Sequence, residues 1–160
     1  MNEKVVIVGG CGFIGHNLAI HLNQLGCKVS VIDSLGVNNL ISIIGNVDNL
    51  PSPKISKSFI DRRIDLLKEK NIQLIVQDAR DYNAMSRIID QLEPDVLIHL
   101  AAVSHSNRSN KDPFSTFDHS LRTLENSLDC VKNKIKQFIY FSSSMVYGNF
   151  DGKSVNEETI

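Results

Sequence analysis

Three short segments of the sequence carry residues whose types and spacing suit the binding of a phosphorylated ligand or chemistry on it. VIVGGCGFIGHNL places Gly9, Gly12 and Gly15 directly after an apolar run. A second apolar run ends in Asp33, and the segment FIYFSSSMVYGNF places three serines between an apolar run and Tyr147. Glycines let a phosphate approach the backbone closely, and serine hydroxyls can hydrogen-bond a substrate oxygen.

The glycine triplet predicts a diphosphate-binding turn between a strand and a helix. Glycine permits a tight turn and close helix packing, and the helix N-terminus supplies free N–H groups with a partial positive charge. The spacing is GxxGxxG, whereas ordinary dehydrogenases have GxGxxG. The triplet alone therefore leaves plain helix packing open as an alternative.

Asp33 strengthens the interpretation as a dinucleotide site. It stands 21 residues after Gly12 (33 − 12 = 21), at the end of the second apolar run. A carboxylate at this position can accept hydrogen bonds from both hydroxyls of the adenosine ribose, and it repels a 2′-phosphate. This favours NAD over NADP. The alternative is that Asp33 only begins a turn with Ser34.

Five apolar, β-branched runs are predicted to be the strands that position these residues: KVVIVG (4–9), KVSVID (28–33), IQLIVQD (72–78), DVLIHLA (95–101) and QFIYFS (137–142). Segments with helical apolar spacing separate them, which predicts an α/β fold with a doubly wound parallel sheet. The stripes are Ile14, Leu18, Leu22 and Leu25; Ile60, Ile64 and Leu67; Met85, Ile88, Ile89 and Leu92; and Phe117, Leu121, Leu124, Leu128 and Val131. A long insertion at about 34–70 interrupts the alternation after the second strand.

Composition excludes several classes of function. The 160 residues correspond to one domain, and 17 basic against 18 acidic residues, scattered along the chain, indicate neither nucleic-acid nor membrane-surface binding. Neither a signal peptide nor an apolar run long enough to span a membrane is recognisable. Three cysteines at unrelated spacings favour reduced thiols and a cytoplasmic protein. The five histidines lack the spacing of metal ligands, so no metal is expected.

Four motifs occur in the order found in a known family: GGCGFIG at the first turn, QDARD after the third strand, HLAA ending the fourth and FSSSMVYG ending the fifth. The chain thereby resembles the NAD-dependent epimerase/dehydratase family, extended short-chain dehydrogenase/reductases that act on nucleotide sugars in carbohydrate biosynthesis. The resemblance covers essentially all 160 residues. It implies a Rossmann-type sheet with strand order 3-2-1-4-5, NAD as cofactor and a nucleotide sugar as substrate.

The resemblance also implies roles for individual residues. Asp78 is expected to accept from the adenine amino group. The alternative is that Asp78 and Asp81 only cap the helix that begins near Tyr82, since Asp is a preferred N-cap. His119 stands where many relatives have an asparagine near the cofactor, and a partly exposed helical histidine is the alternative. The polar run after the fourth strand places Ser104 on the catalytic side, where a solvated loop is the alternative. The implied cofactor-binding residues are Gly9, Gly12, Phe13, Ile14, Gly15, Asp33, Asp78, Ala79, Leu100, Ala101, Ala102, His119 and Ser142. The implied substrate-binding residues are Ser104, Ser143 and Ser144.

By the same resemblance the catalytic hydroxyl is that of Ser143, four residues before Tyr147 (147 − 4 = 143). It is expected to hydrogen-bond the sugar oxygen that becomes a carbonyl, not to act as a nucleophile, because no Gly-x-Ser-x-Gly elbow surrounds it. A flexible turn is the alternative for this serine run. Dehydratases of the family place an acidic residue at one or both of the next two positions, which here are Ser144 and Met145. We therefore favour 4-epimerisation through a transient 4-keto sugar.

The proton-transferring Tyr-x-x-x-Lys pair of the family does not occur in the sequence, and Tyr147 corresponds to the structural tyrosine of the Tyr-Gly turn. We therefore expect the chain to be the N-terminal, NAD-binding portion (1–160) of an enzyme about twice as long, ending before the substrate region. The complete enzyme is expected to be a homodimer and the chain alone inactive. A 4,6-dehydratase or reductase of the same family and a non-catalytic NAD-binding module are the alternatives.

Overall fold

Five parallel strands form a single sheet within the residues that the computed structural model describes, which are 2–36, 40–44, 52–103, 112–148 and 154–159. They are β1 (Lys4–Val8), β2 (Lys28–Asp33), β3 (Gln73–Val76), β4 (Val96–His99) and β5 (Gln137–Tyr140). Their order across the sheet is β3-β2-β1-β4-β5, and every neighbouring pair is parallel. The predicted Rossmann-type fold and its strand order are confirmed.

Helices connect the strands as the apolar spacing predicts. They are α1 (Phe13–Gln24), α2 (Leu40–Ile44), α3 (Pro53–Glu69), α4 (Tyr82–Leu92), α5 (Pro113–Phe117) and α6 (Thr123–Val131). A π-helical turn (Asp118–Arg122) joins α5 to α6, and a 3₁₀ turn (Ser144–Tyr147) follows β5. The insertion after β2 thus contributes α2 and α3, and α3 buries Ile60 and Leu67 as predicted.

The core consists of two apolar layers, one on each face of the sheet. Val5 and Ile7 of β1 belong to one layer, and the alternate residues Val6 and Val8 to the other. Successive side chains of a strand point to opposite faces, so a strand that is covered on both sides is apolar throughout. The expectation of five buried strands holds for β1, β2 and β4 only. β3 and β5 are the outermost strands and each has a neighbouring strand on one side only. Residues at the ends of both strands are exposed because neither helices nor a second neighbouring strand enclose them.

The segment from α5 to α6 buries a different face from the one that its apolar stripe predicts. Phe117 and Leu121 of that stripe are 65% and 53% exposed. The buried positions of α6 include Thr123, Asn126 and Ser127, which are polar. The π-helical turn adds a residue to the helical repeat and so changes which side chains face the sheet. Burial of the polar groups is tolerated because each is hydrogen-bonded.

Among the described residues, no helix has both the length and the apolar character needed to cross a membrane.

Candidate functional site

Most of the predicted functional residues lie in the loops that follow the carboxyl ends of the strands. These loops all lie along one edge of the sheet, the edge formed by the strand ends. Gly9 N–H donates to the carbonyl of Ile32 at 2.8 Å, and Leu100 N–H donates to that of Val8 at 2.8 Å. These bonds extend the strand pairing by one residue, so the loops after β1 and β4 start side by side. Ligands of doubly wound sheets bind beyond this edge, where the strand order reverses. The predicted residues at the edge are Gly9, Asp33, Asp78, Leu100, Ala101, Ala102 and Ser142.

The three glycines of the turn after β1 serve different purposes. Gly9 has a φ of 80°, and a Cβ there would lie 2.8 Å from the backbone nitrogen of Ala101. A Cβ on Gly15 would lie 2.5 Å from the Cα of Gly10. Both positions therefore require glycine for the fold itself. A Cβ on Gly12 would meet only the Gly9 carbonyl oxygen, at 3.4 Å, an ordinary contact distance.

Among the described residues, none therefore occupies the space beside Gly12. Gly12 is the N-cap of α1 and provides no side-chain cap for the N–H groups of the first turn. Phe13 and Ile14 flank the turn and are 72% and 55% exposed, and the Arg63 guanidinium lies 5.9 Å from the centroid of the Phe13 ring. Free N–H groups, the positive end of a 12-residue helix and room for close approach together fit a diphosphate.

Asp33 connects the glycine turn to the loop after β2. Its Oδ2 accepts from the backbone N–H of Cys11 at 2.9 Å, and its Oδ1 accepts from that of Leu35 at 2.8 Å. Burial raises the pKa of the Asp33 carboxyl, while the N–H groups of Leu35 and Cys11 act in the opposite direction. Asp33 thus does begin a turn. A carboxylate has about four acceptor positions, so two remain for ligand hydroxyls.

Asp78, after β3, is held by an arginine that sequence analysis did not identify. Arg80 Nη2 donates to Asp78 Oδ2 at 2.7 Å, and Arg80 Nη1 donates to Asp118 Oδ2 at 2.7 Å. The Arg80 side chain lowers the pKa of Asp78, and His119 adds a smaller effect of the same sign. Asp78 is therefore ionised and points in a fixed direction. Asp81 caps α4, where its side chain accepts from the backbone N–H of Ala84, so the alternative role holds for this residue.

The end of β4 is fixed by a buried histidine to which the sequence assigned no role. His99 Nε2 lies 3.0 Å from the carbonyl of Ala101, and its Nδ1 lies 3.0 Å from the Ser127 hydroxyl. Burial lowers the pKa of His99 to about 4, so the ring is neutral at neutral pH. A carbonyl can only accept, so Nε2 carries the hydrogen and Nδ1 accepts from Ser127. Ser127 Oγ also lies 2.8 Å from the Thr123 carbonyl, but its single hydrogen is needed by Nδ1.

The serine run after β5 is exposed and its central member forms a cap. Ser143 Oγ accepts from the backbone N–H of Met145 at 3.2 Å, at the start of the 3₁₀ turn that contains Ser144 and Tyr147. The turn-forming role that was the alternative for this run is therefore realised. The Ser143 hydroxyl hydrogen can still be donated to a ligand because the cap uses only a lone pair. Ser104, the remaining predicted substrate residue, lies outside the described residues.

Asn126 and Ser127 are further residues that the sequence analysis missed. Together with Thr123 they occupy positions i, i+3 and i+4 of a helix, a spacing that places all three on one face. A polar face at this spacing was the available signal. It was obscured by the apolar stripe on the same helix. Among the described residues, no group of three or more His, Cys, Asp or Glu side chains is placed to hold a metal ion.

Comparison with known proteins gives a consistent result. The sequence profile described as "NAD dependent epimerase/dehydratase family" matches residues 5–160. The dTDP-D-glucose 4,6-dehydratase of Dictyostelium discoideum is 31% identical over 150 residues, which cover 92% of this chain and 30% of that protein. The probable UDP-arabinose 4-epimerase 3 of Arabidopsis thaliana is 26% identical over 97% of this chain and 34% of that protein. The chain thus spans about a third of the length of these relatives.

Solved structures share the fold. The UDP-glucose 4-epimerase of Stenotrophomonas maltophila, crystallised with NAD and formylated UDP-arabinopyranose, is 25% identical with a TM-score of 0.76, over 99% of this chain and 42% of that one. The UDP-glucose 4-epimerase of Bifidobacterium longum, in complex with NAD+ and UDP, is 23% identical with a TM-score of 0.77, over 98% of this chain and 42% of that one. The latter likeness establishes the fold alone.

Proposed function

The chain belongs to the NAD-dependent epimerase/dehydratase family, and from this membership we propose that it is the NAD-binding part of an enzyme that acts on nucleotide sugars. The cofactor prediction, NAD, is confirmed by the family. One observation supports placing the NAD site at this edge of the sheet. There is open space beside Gly12, where the described part of the protein does not itself require glycine. The expected length of the complete enzyme, about twice that of this chain, remains a prediction.

The proposed cofactor site follows the sheet edge. The glycine turn, with Phe13 and Ile14, holds the diphosphate, and Asp33 accepts from the ribose hydroxyls of the adenosine. Adenine lies against Asp78 and Ala79, and the other proposed cofactor-binding residues contact the pyrophosphate and the nicotinamide half. These residues are Leu100, Ala101, Ala102, His119 and Ser142. NAD held there would supply reversible hydride transfer.

Three hydrogens of Arg80 already contact the two Asp78 oxygens, those of Nε, Nη2 and the backbone N–H. A carboxylate has about four acceptor positions, so at most one is left for the adenine amino group. The ion pair keeps Asp78 ionised and oriented. His119 lies close enough to Asp78 to lower its pKa, which supports a position for His119 beside the cofactor.

We favour 4-epimerisation through a transient 4-keto sugar. Ser143 would donate its hydroxyl hydrogen to the sugar oxygen that becomes the carbonyl oxygen, with Ser104 and Ser144 contacting the sugar. Ser144 and Met145 cannot shuttle a proton at neutral pH, which disfavours elimination of water. A 4,6-dehydratase is the second candidate, because the Dictyostelium relative at 31% identity carries that name. A reductase follows if a nucleotide sugar is reduced instead, and a non-catalytic NAD-binding module follows if no nucleotide sugar reacts.

The reaction is tested by incubating the complete enzyme with UDP-, GDP- and dTDP-hexoses and following the configuration at C4 by NMR. Inversion at C4 is the expected result. A 4-keto-6-deoxy product would instead assign the dehydratase reaction. Absence of any reaction, combined with NAD binding, would assign the non-catalytic module. The 160-residue chain alone is expected to be inactive.

Asp33→Asn is expected to weaken NAD binding by about tenfold to hundredfold, which corresponds to about 1.5 to 3 kcal/mol for hydrogen bonds to a charged group. The preference for NAD over NADP should narrow because the negative charge no longer repels a 2′-phosphate. Calorimetric titration with both cofactors measures these effects. Asp95→Asn is the matched control, because Asp95 also accepts from a backbone N–H, that of Lys4, but at the opposite edge of the sheet. Equal NAD affinity of Asp33→Asn and wild type would contradict the assignment.

The proposed homodimer and cytoplasmic location rest on separate observations. Phe114, Phe117, Leu121 and Leu128 are 83%, 65%, 53% and 46% exposed along one helical segment, an apolar surface suited to a second copy of the chain. Sedimentation velocity of the complete enzyme tests this, and a monomer at micromolar concentration would refute it.

The proposed cytoplasmic location is supported by the cysteines. All three are buried thiols, as expected in a reducing compartment.

A further inference from the structure

We propose that Asn126 and Ser127 of α6 are positioning residues for NAD, each fixing one of two loops that bind the cofactor. The inference rests on the proposed NAD site. Both side chains are buried, with exposed fractions of 7% and 0%, and they are adjacent in the sequence. Asn126 contacts the loop after β3, and Ser127 reaches the loop after β4 through His99. One helix therefore determines the distance between the adenine half and the nicotinamide half of the site.

Asn126 holds the adenine half. Its Nδ2 donates to the carbonyls of both Ala79 and Arg80, each at 2.9 Å. The two amide hydrogens are thus both used, which fixes the direction of two successive peptide groups. The same loop carries Asp78, whose Oδ1 accepts from the Arg80 backbone N–H at 2.9 Å. Displacement of these peptide groups would move the Asp78 carboxylate and the Ala79 backbone, the two groups assigned to adenine.

Ser127 holds the other half through the neutral His99. Its hydroxyl donates to His99 Nδ1 at 3.0 Å, and His99 Nε2 donates to the Ala101 carbonyl at 3.0 Å. This relay fixes the peptide group that follows Ala101. The Ala101 backbone also lies directly over Gly9, where a Cβ would come within 2.8 Å of its nitrogen. The relay therefore sets how closely the loop after β4 approaches the glycine turn.

Packing alone does not account for polar residues at these positions. A buried polar group contributes little net stability even when it is hydrogen-bonded, and an apolar side chain of similar size packs at least as well. The next buried positions of the same helix, Cys130 and Val131, do carry side chains that pack as apolar groups. Of the three buried polar residues of α6, Thr123 donates to carbonyls of the preceding helical turn. Asn126 reaches loop carbonyls at the cofactor edge directly, and Ser127 reaches one through His99.

The test compares binding of AMP, which fills only the adenine half, with binding of NAD, which fills both. Asn126→Leu keeps the number and branching of the side-chain heavy atoms and removes both hydrogen bonds, so we expect the Kd values for AMP and NAD to rise together by about tenfold. Ser127→Ala should raise the Kd for NAD by about fivefold and leave that for AMP unchanged. Cys130→Ala, a buried change on the same helix, is the control and should alter neither Kd. Calorimetry is performed well below each variant's melting temperature.

A merely structural role predicts a different result, in which the variants melt at lower temperature but bind AMP and NAD with wild-type affinity once folded. That result would overturn the inference and leave the proposed function intact. Equal weakening of AMP and NAD by Ser127→Ala would overturn it as well, because the two halves would not be separately held. Failure of the wild type to bind NAD would overturn the proposed function and the inference together. If Asn126→Leu does not fold, Asn126→Ala replaces it, since alanine has the highest helix propensity.

Discussion

Replacement of Ser143 by alanine in the complete enzyme is expected to lower kcat by about 10²- to 10³-fold, the typical cost of removing one donor to a reacting oxygen. The Kd for NAD should change by less than about twofold, because the partner that we propose for the hydroxyl is the sugar oxygen and not the cofactor. The residue is exposed after β5, and its hydroxyl hydrogen is not needed for the cap on Met145. Steady-state kinetics and calorimetric titration with NAD measure the two effects.

The cap requires its own control, because Ser143→Ala also removes the hydrogen bond that Met145 N–H donates at 3.2 Å. Loss of a cap costs about 1 kcal/mol of stability. Ser143→Thr keeps both the hydroxyl and the cap and should retain most of the activity, and Ser144→Ala should have a small effect. If Ser143→Ala turns over at the wild-type rate, or if it loses NAD binding in parallel with activity, the assigned role is wrong.

Gly12→Ala is expected to weaken NAD binding by more than about 100-fold while the free energy of unfolding changes by less than about 1 kcal/mol. A Cβ at this position meets only the Gly9 carbonyl oxygen, at 3.4 Å, and the φ of −70° suits alanine. The added methyl group therefore fits the protein alone. It would occupy the space that we assign to the diphosphate, where a bound ligand lies against the backbone.

Gly15→Ala is the matched contrast on the same turn. Its Cβ would lie 2.5 Å from the Cα of Gly10, so the backbone must shift, and overpacking of this kind typically costs about 1 to 3 kcal/mol. Gly15→Ala should thus lower both stability and NAD affinity, whereas Gly12→Ala lowers affinity alone. Denaturant titration and calorimetry distinguish them. A Gly12→Ala protein that binds NAD normally would remove the main support for the cofactor site.

The sequence alone determined the sheet, its strand order and the family. Buried parallel strands require apolar residues throughout, so runs such as KVVIVG at 4–9 are strong signals. The glycine turn could also be predicted from the sequence. Gly9 has a positive φ and lies against Ala101, so glycine is the one residue type that fits there. The Asp33 position followed from its fixed distance to that turn.

Only the tertiary structure decided which glycine of the turn the fold itself does not require and which face of α6 is buried. Residue type cannot distinguish Gly12 from Gly15, because the difference lies in what a Cβ would meet across the turn. The hydrogen bonds that bury Asn126 could likewise not be predicted from the local sequence, since the accepting carbonyls are 46 and 47 residues away in the chain. A local apolar pattern indicates which face of a helix is on average more apolar and therefore favoured for burial. Hydrogen bonds to distant backbone groups form only when the sheet brings its loops together at one edge. The π-helical turn between α5 and α6 shifts the face that packs on the sheet, and Phe117 and Leu121 are exposed.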